Sequence, residues 1–402
     1  MAISETEKME APNILTEEAF EKAKEIIGRC STPSGLFASP VKYNAIYARD
    51  ALITCLGGLI CGEDKFIRQW LKTMDTLMDR QSSSGQIPNC VDIFIPSRPS
   101  LVAFGAVDAS LWFVLSLAYA EKLLGEQPQF QLAAERALVW LKYQDAHEEC
   151  LIEQQEATDW MDIIANRGHV LYSNALYFAA LELRGHVKHA HLVKQAINGF
   201  LWNASLGYFR PWSWKQEHGD WFDTAANCFA VAFGLADEEQ TESILRYIEE
   251  NQLSKPFPIR VMHPPIQPGD KDWRDYYITE HDLNRPDHYH NGGIWPWVGG
   301  LYVAALVRAG RIELAREELN NLARANKLGR ESEWEFNEWL EGINGEPMGS
   351  SDQAWSAGMY VYAYACVKEE REPVFSILES PESQLWHNTR PEGLETNSTP
   401  NT

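Results

Sequence analysis

The sequence predicts an all-α fold, a single (α/α)6 toroid of six helical hairpins closed into a ring. Three observations carry this expectation. Helical stretches of two kinds alternate along the 402 residues. One kind has a single apolar stripe, and the other is apolar almost all round and must be covered on most sides. The second kind begins near Asp50, Asp108, Gly168, Asp223, Gly293 and Asp352, a spacing that stays near sixty residues. A near-constant hairpin period marks a repeat architecture. Strand signals are few, "GYFRPWSW" being the clearest.

The elements follow in order. An amphipathic helix is expected over 16–29, then a buried one in "ALITCLGGLICG". In "DKFIRQWLKTMDTLMDRQ" the apolar positions 66/67, 70/71, 74 and 77/78 share one face. Further stripes run through 127–144, 187–202, 238–250 and 311–325. Between them lie the buried stretches "VDASLWFVLSLAYA", "VLYSNALYFAALE", "TAANCFAVAFGLA", "GIWPWVGGLYVAALVRAG" and "QAWSAGMYVYAYACV". Length alone would suggest two or three domains. Ring closure instead lets one domain, 15–375, bury the whole core, between a short extension at 1–14 and a polar tail at 376–402 expected to fray.

Thirty-five basic against fifty-seven acidic side chains leave a formal charge of −22, which makes nucleic acid and anionic membranes poor partners. No apolar run reaches membrane-spanning length. The acidic start "MAISETEKMEAPNILTEEAF" does not read as a secretory signal. Seven cysteines without C-x-x-C spacing read as reduced thiols of a cytoplasmic protein. Oligomeric state is not legible.

If the hairpins repeat, the inner helices run parallel and their N-termini gather at one end. The loops entering them are rich in polar and aromatic residues: "YARD" (Tyr47, Arg49, Asp50), "GQIPN" (Asn89), "VDASLW" (Asp108, Trp112) and "TDWMD" (Asp159, Trp160, Asp162). "WFDTAAN" (Asp223), "YHNGGIWPW" (His290, Asn291, Trp295) and "SSDQAW" (Gln353, Trp355) continue the series, and 333–349 is dense in carboxylates and tryptophan. Taken singly these residues have bland explanations. Asp50, Asp108 and Asp223 read as helix caps, and a tryptophan at helical spacing as core. Glu280, His281 and Asp282 beside "DHYHN" lack the helical spacing of a metal motif, so no metal is expected. No phosphate loop or G-x-S-x-G elbow occurs. Together, however, the loops describe a carbohydrate pocket. Tryptophan and tyrosine faces stack on sugar rings, polar side chains bond vicinal hydroxyls, and glycoside hydrolysis needs two carboxyl groups.

Several stretches carry a resemblance: "YARDALITCLGGLICG", "GQIPN", "VDASLWFVLSLAY", "TDWMD", "FDTAANCFAVAFG", "YHNGGIWPW", "NEWLEG" and "QAWSAG". In this order, over roughly 43–367, the sequence resembles the (α/α)6-barrel glycoside hydrolases. That group includes the amylo-α-1,6-glucosidase domain of glycogen debranching enzymes, the alkaline/neutral invertases and the mannosylglycerate hydrolases. The resemblance implies that the aspartate ending W-M-D, Asp162 rather than Asp159, is the general acid, and that Glu338 of "NEWLEG" is the general base. It also implies that Arg49 and Asp50 hold the sugar being released, with Asp108, His290, Asn291 and Trp295 lining its pocket. The implied reaction is single-step inversion of a short α-glycoside, without metal or organic cofactor. The chain reads "WMDIIANRG" where neutral invertases show M-I-D-R-R-M-G. Two other classes remain: a sugar 2-epimerase of the same shape, using His169 and His290, and a non-catalytic sugar-binding protein.

Overall fold

Each all-round apolar stretch becomes an inner helix and each striped one an outer helix in the computed structural model, which describes residues 14–92, 101–278 and 283–373. In chain order the helices are α1 (Ile14–Arg29), α2 (Ala48–Ile60), α3 (Asp64–Asp79), α4 (Asp108–Leu124), α5 (Pro128–Lys142) and α6 (Leu171–Leu183). They continue as α7 (Val187–Phe200), α8 (Thr224–Ala232), α9 (Glu238–Glu250), α10 (Pro296–Arg308), α11 (Ile312–Lys327) and α12 (Ala354–Glu369). The even-numbered helices pack on one another in sequence, and α12 returns onto α2, closing the ring.

Burial follows the two sequence patterns. Helix α4 is buried without a break from Asp108 to Ala120, whereas α3 buries Phe66, Trp70, Thr73, Met74 and Leu77 on one face. Local chemistry starts several helices. Pro128 and Pro296 occupy first-turn positions in α5 and α10, where a missing N–H costs nothing. Asp237 and Gln240 form a reciprocal capping box on α9. The ring closes tightly because glycines face each other at the seam. A Cβ on Gly57 would lie 2.0 Å from the Gly358 carbonyl oxygen, so α2 and α12 touch backbone to backbone.

Among the described residues the strands are two or three residues long. Two of them matter for the site. Trp339–Leu340 pairs with Pro347–Met348 in a hairpin, and Leu340 bridges to Ile294. The loops entering α10 and α12 are thereby sewn together. All seven cysteines are free, and no described helix is long and apolar enough to cross a membrane. The expected extension, apart from Ile14, the expected tail and Glu280–Asp282 lie outside the described residues.

Candidate active site

Four of the entry loops converge on one pocket of about 410 Å3. It is lined by Tyr47, Arg49 and Asp50 at the start of α2, and by Trp160 and Asp162 ahead of α6. His290 and Trp295 reach it from the loop before α10, and Glu338, Gln353 and Trp355 from the approach to α12. Two lining residues escape the sequence reading, Tyr43 and Tyr289. Both lie in or beside quoted motifs, but nothing local says where their rings point. Tyr289 has φ of +45°, a left-handed turn that redirects its side chain, and such strain in a non-glycine residue clusters at functional sites.

The two aspartates of "TDWMD" part company. Asp159 is buried and internally satisfied: the Gln154 side chain and the Met161 N–H each donate to it at 2.8 Å. Burial, reinforced by the charge of Asp108, pushes it up to about 6. Asp162 keeps an accessible face, and that face belongs to the pocket. Desolvation by the surrounding wall still raises its carboxyl above the usual range, against the pull of Arg49.

Glu338 sits at the base of the 339–348 hairpin, only 4 % exposed. The Tyr43 hydroxyl donates to Oε1 at 3.1 Å and the Ser350 N–H to Oε2 at 2.9 Å. Burial pushes Glu338 up, while these two donors favour its carboxylate. Its charge also meets that of Asp162. Gly349 makes the arrangement possible, because its φ is +71° and a Cβ there would lie 2.5 Å from Glu338 Oε2.

Asp50 is not a cap. The α2 N-cap is Tyr47, which makes no side-chain cap bond. Asp50 lies in the first turn with Oδ2 at 3.5 Å from Arg49 Nε and without a hydrogen-bond partner, and burial pushes its carboxyl up to about 7 despite Arg49. Beside these groups stands an aromatic wall. His290 stacks on Trp295 (5.0 Å, 23°), Trp160 meets Trp295 edge-on, and Trp355 stacks on Trp297. Burial first, then Arg49, depresses His290 far below the ordinary histidine range, so its ring is neutral.

Five expected residues do not line the pocket. Asp108 lies behind it, fully buried, where Arg49 Nη1 and the Tyr172 hydroxyl each donate to Oδ2 at 3.2 Å. Trp112 is core, its indole N–H donating to Tyr172 at 2.9 Å. Asp223 is the cap that its position before α8 suggests, accepting from Ala226 N–H at 3.0 Å. Asn89 braces a turn, accepting from Gly105 N–H at 2.9 Å. Asn291 exchanges bonds with the Ile266 backbone and donates to Asn284 O, clamping loops together. In each case a neighbouring backbone or side chain binds at least one polar atom of the residue away from the pocket. His169 is also remote from the pocket, and lines a separate cavity with His147, Glu149 and Glu153. No group of three or more potential metal ligands is found among the described residues.

A closed ring of six hairpins, with carboxyl groups gathered where its inner helices begin, is the (α/α)6 fold of the six-hairpin glycosidases. The family model for alkaline and neutral invertase matches residues 201–370, a span that holds Tyr289, His290, Trp295 and Glu338 but not Asp162. The chain is 35 % identical over 149 residues to probable alkaline/neutral invertase D of Arabidopsis thaliana, covering 36 % of this chain and 26 % of that one. It is 23 % identical to probable alkaline/neutral invertase A, chloroplastic, of the same plant, over 76 % of this chain and 63 % of that one. Thus the chain spans about a quarter of the first relative's length and 63 % of the other's. Among solved structures, the GH63 mannosylglycerate hydrolase of Thermus thermophilus, in complex with Tris and D-glycerate, superposes with a TM-score of 0.64. That alignment has 14 % identity and covers 86 % of this chain and all of that one. A bacterial glucoamylase complexed with acarbose gives 0.63 at 12 % identity, over 92 % of this chain and 59 % of that one.

Proposed function

We propose that this chain is an inverting glycoside hydrolase acting on a short α-glycoside, with Asp162 as general acid and Glu338 as general base. One observation carries the reading: two carboxyl groups from different loops face one pocket, and five other polar atoms of its lining have no partner in the protein. Asp50 Oδ2, Trp160 Nε1, His290 Nδ1, Gln353 Oε1 and Trp355 Nε1 are all buried without a hydrogen bond. Such a mixture of donors and acceptors beside tryptophan faces suits a polyhydroxylated ring.

The chemistry then follows. Asp162, biased toward its protonated form, gives its proton to the glycosidic oxygen as the bond from that oxygen to the anomeric carbon breaks. Glu338, whose carboxylate accepts from Tyr43 and Ser350, takes a proton from a water that attacks the same carbon from the opposite face. The product therefore carries inverted configuration. Arg49 and Asp50 hold hydroxyls of the departing sugar. The match to the alkaline and neutral invertase model makes sucrose the first substrate to test.

Purified protein should release monosaccharide from sucrose or another short α-glycoside, with glucosylglycerate and mannosylglycerate included in the panel. NMR of the first product should show the anomer opposite to the substrate's. Retained configuration would overturn the mechanism. Sugar binding without turnover would favour a binding protein, and interconversion of a free sugar without a second product an epimerase.

A further inference from the structure

Behind the pocket floor, three adjacent inner helices contribute to one buried chain of hydrogen bonds. Trp112 on α4 donates to the Tyr172 oxygen at 2.9 Å. Tyr172 on α6 donates to Asp108 Oδ2 at 3.2 Å, and Arg49 on α2 donates to the same oxygen at 3.2 Å. Trp112, Tyr172 and Asp108 are all at most 1 % exposed. The direction of this chain is forced by its members. An indole N–H can only donate and a guanidinium can only donate. With Trp112 donating to its oxygen, the Tyr172 hydroxyl is free to spend its own proton on Asp108, whose Oδ2 then faces two donors and accepts from both.

We infer that Tyr172 is a positioning residue: its hydroxyl holds Asp108 as the carboxylate that anchors the Arg49 guanidinium in the wall of the sugar pocket. Asp108 needs that help, since its Oδ1 has no hydrogen-bond partner and complete burial opposes its charge. Arg49 needs Asp108 in turn. Its other acidic neighbours hold it less firmly: Asp50 lies at 3.5 Å from Nε without a hydrogen bond, Asp162 acts on it only through its charge, and the Trp355 ring is 5.7 Å away. If Asp108 loses its charge, the guanidinium loses this hydrogen-bonded anchor and is drawn toward the carboxylates that remain, Asp50 nearest, so that both groups presented to the sugar shift together. Tyr172 itself does not line the pocket, so it acts only through this chain.

The inference takes its kinetic readout from the glycoside hydrolase reading, but its structural readout stands alone. Tyr172→Phe removes the hydroxyl and keeps the ring that packs against Trp160 and Phe229. Losing a bond to a charged group should lower kcat/KM at least about tenfold. In the Arg49→Lys background the same change should cost less than about twofold, because the group through which Tyr172 acts is already altered. A crystal structure of Tyr172→Phe should show Arg49 Nη1 out of hydrogen-bond reach of Asp108. Trp112→Phe should move both readouts the same way by a smaller step, and serves if Tyr172→Phe does not fold. Equal fold-losses in the two backgrounds, unchanged kcat/KM, or an unmoved guanidinium would overturn the inference. If the parent hydrolyses no glycoside, the functional reading fails by itself, and the Arg49 position decides the role of Tyr172.

Discussion

Replacing Gly349 by alanine tests whether Glu338 depends on a backbone contact further along the chain. The new Cβ would lie 2.5 Å from Glu338 Oε2 and 2.7 Å from both Glu338 Cβ and Trp339 Cδ1. Ordinary contact begins near 3.4 Å, so the carboxylate must retreat by about 0.9 Å or the hairpin must open. Retreat stretches the 2.9 Å bond from Ser350 N–H, one of the two donors that favour the charged form. A misplacement of about 1 Å in a catalytic group costs on the order of a hundredfold in rate. The φ of +71° adds roughly 1 kcal/mol of backbone strain in an alanine, which acts on stability rather than turnover. Steady-state kinetics on the best glycoside should therefore show kcat down about a hundredfold, with KM moved far less and Tm lower by only a few degrees. A variant with kcat within twofold of the parent would show that Glu338 is not held by this contact, or is not the base.

Asp162→Asn should nearly abolish hydrolysis of glycosides with poor leaving groups and do less harm with an activated aryl glycoside, which needs less protonation. Glu338→Gln should be severe with both, while Asp159→Asn should be much milder, and an Asp159 variant less active than the Asp162 variant would reverse the assignment. Asp50, pushed up to about 7, is ionised above that pH and protonated below it, so a sugar held by its carboxylate gives kcat/KM an acid limb near 7. Asp50→Asn should remove that limb and cost at least about a hundredfold, roughly 2.7 kcal/mol of transition-state binding, and an unaltered pH profile would place Asp50 outside the sugar site. Asp223 is also pushed up to about 7, so the folded state holds its proton longer than the unfolded chain, and stability falls as pH rises from about 4 through 7. Asp223→Asn keeps the cap on α8 and should raise Tm above the parent's at pH 8, with the gap closing toward pH 5 in thermal melts; a gap independent of pH would refute the buried-charge account.

The helices were legible because their signal is local. The stripe at Phe66, Trp70, Met74 and Leu77 and the unbroken burial of α4 both appear in the sequence as residue spacing. The near-constant period then implies the ring, and the ring implies that the inner-helix entries meet. That is why Arg49, Asp50, Asp162, His290 and Trp295 were found together. Glu338 is different, since spacing placed it only in a carboxylate-rich loop, and the resemblance singled it out.

The sequence by itself determined which segments are helical, which of them are inner, and hence which loops share one end of the fold. Tertiary structure alone decided which polar groups in those loops remain free. Asp108 and Asp50 both stand in the first turn of an inner helix, yet Arg49 and Tyr172 both donate to Asp108 Oδ2 behind the pocket, while Asp50 lines the pocket with its Oδ2 unpartnered. Asp223 meets the Ala226 N–H, Asn291 the Ile266 backbone, and Glu338 the N–H of Ser350 across a turn that only glycine at 349 permits. Helical periodicity comes from a residue's neighbours along the chain. The direction and charge of a buried polar side chain come from whichever donor or acceptor folding brings within about 3 Å, and that partner can lie anywhere in the sequence.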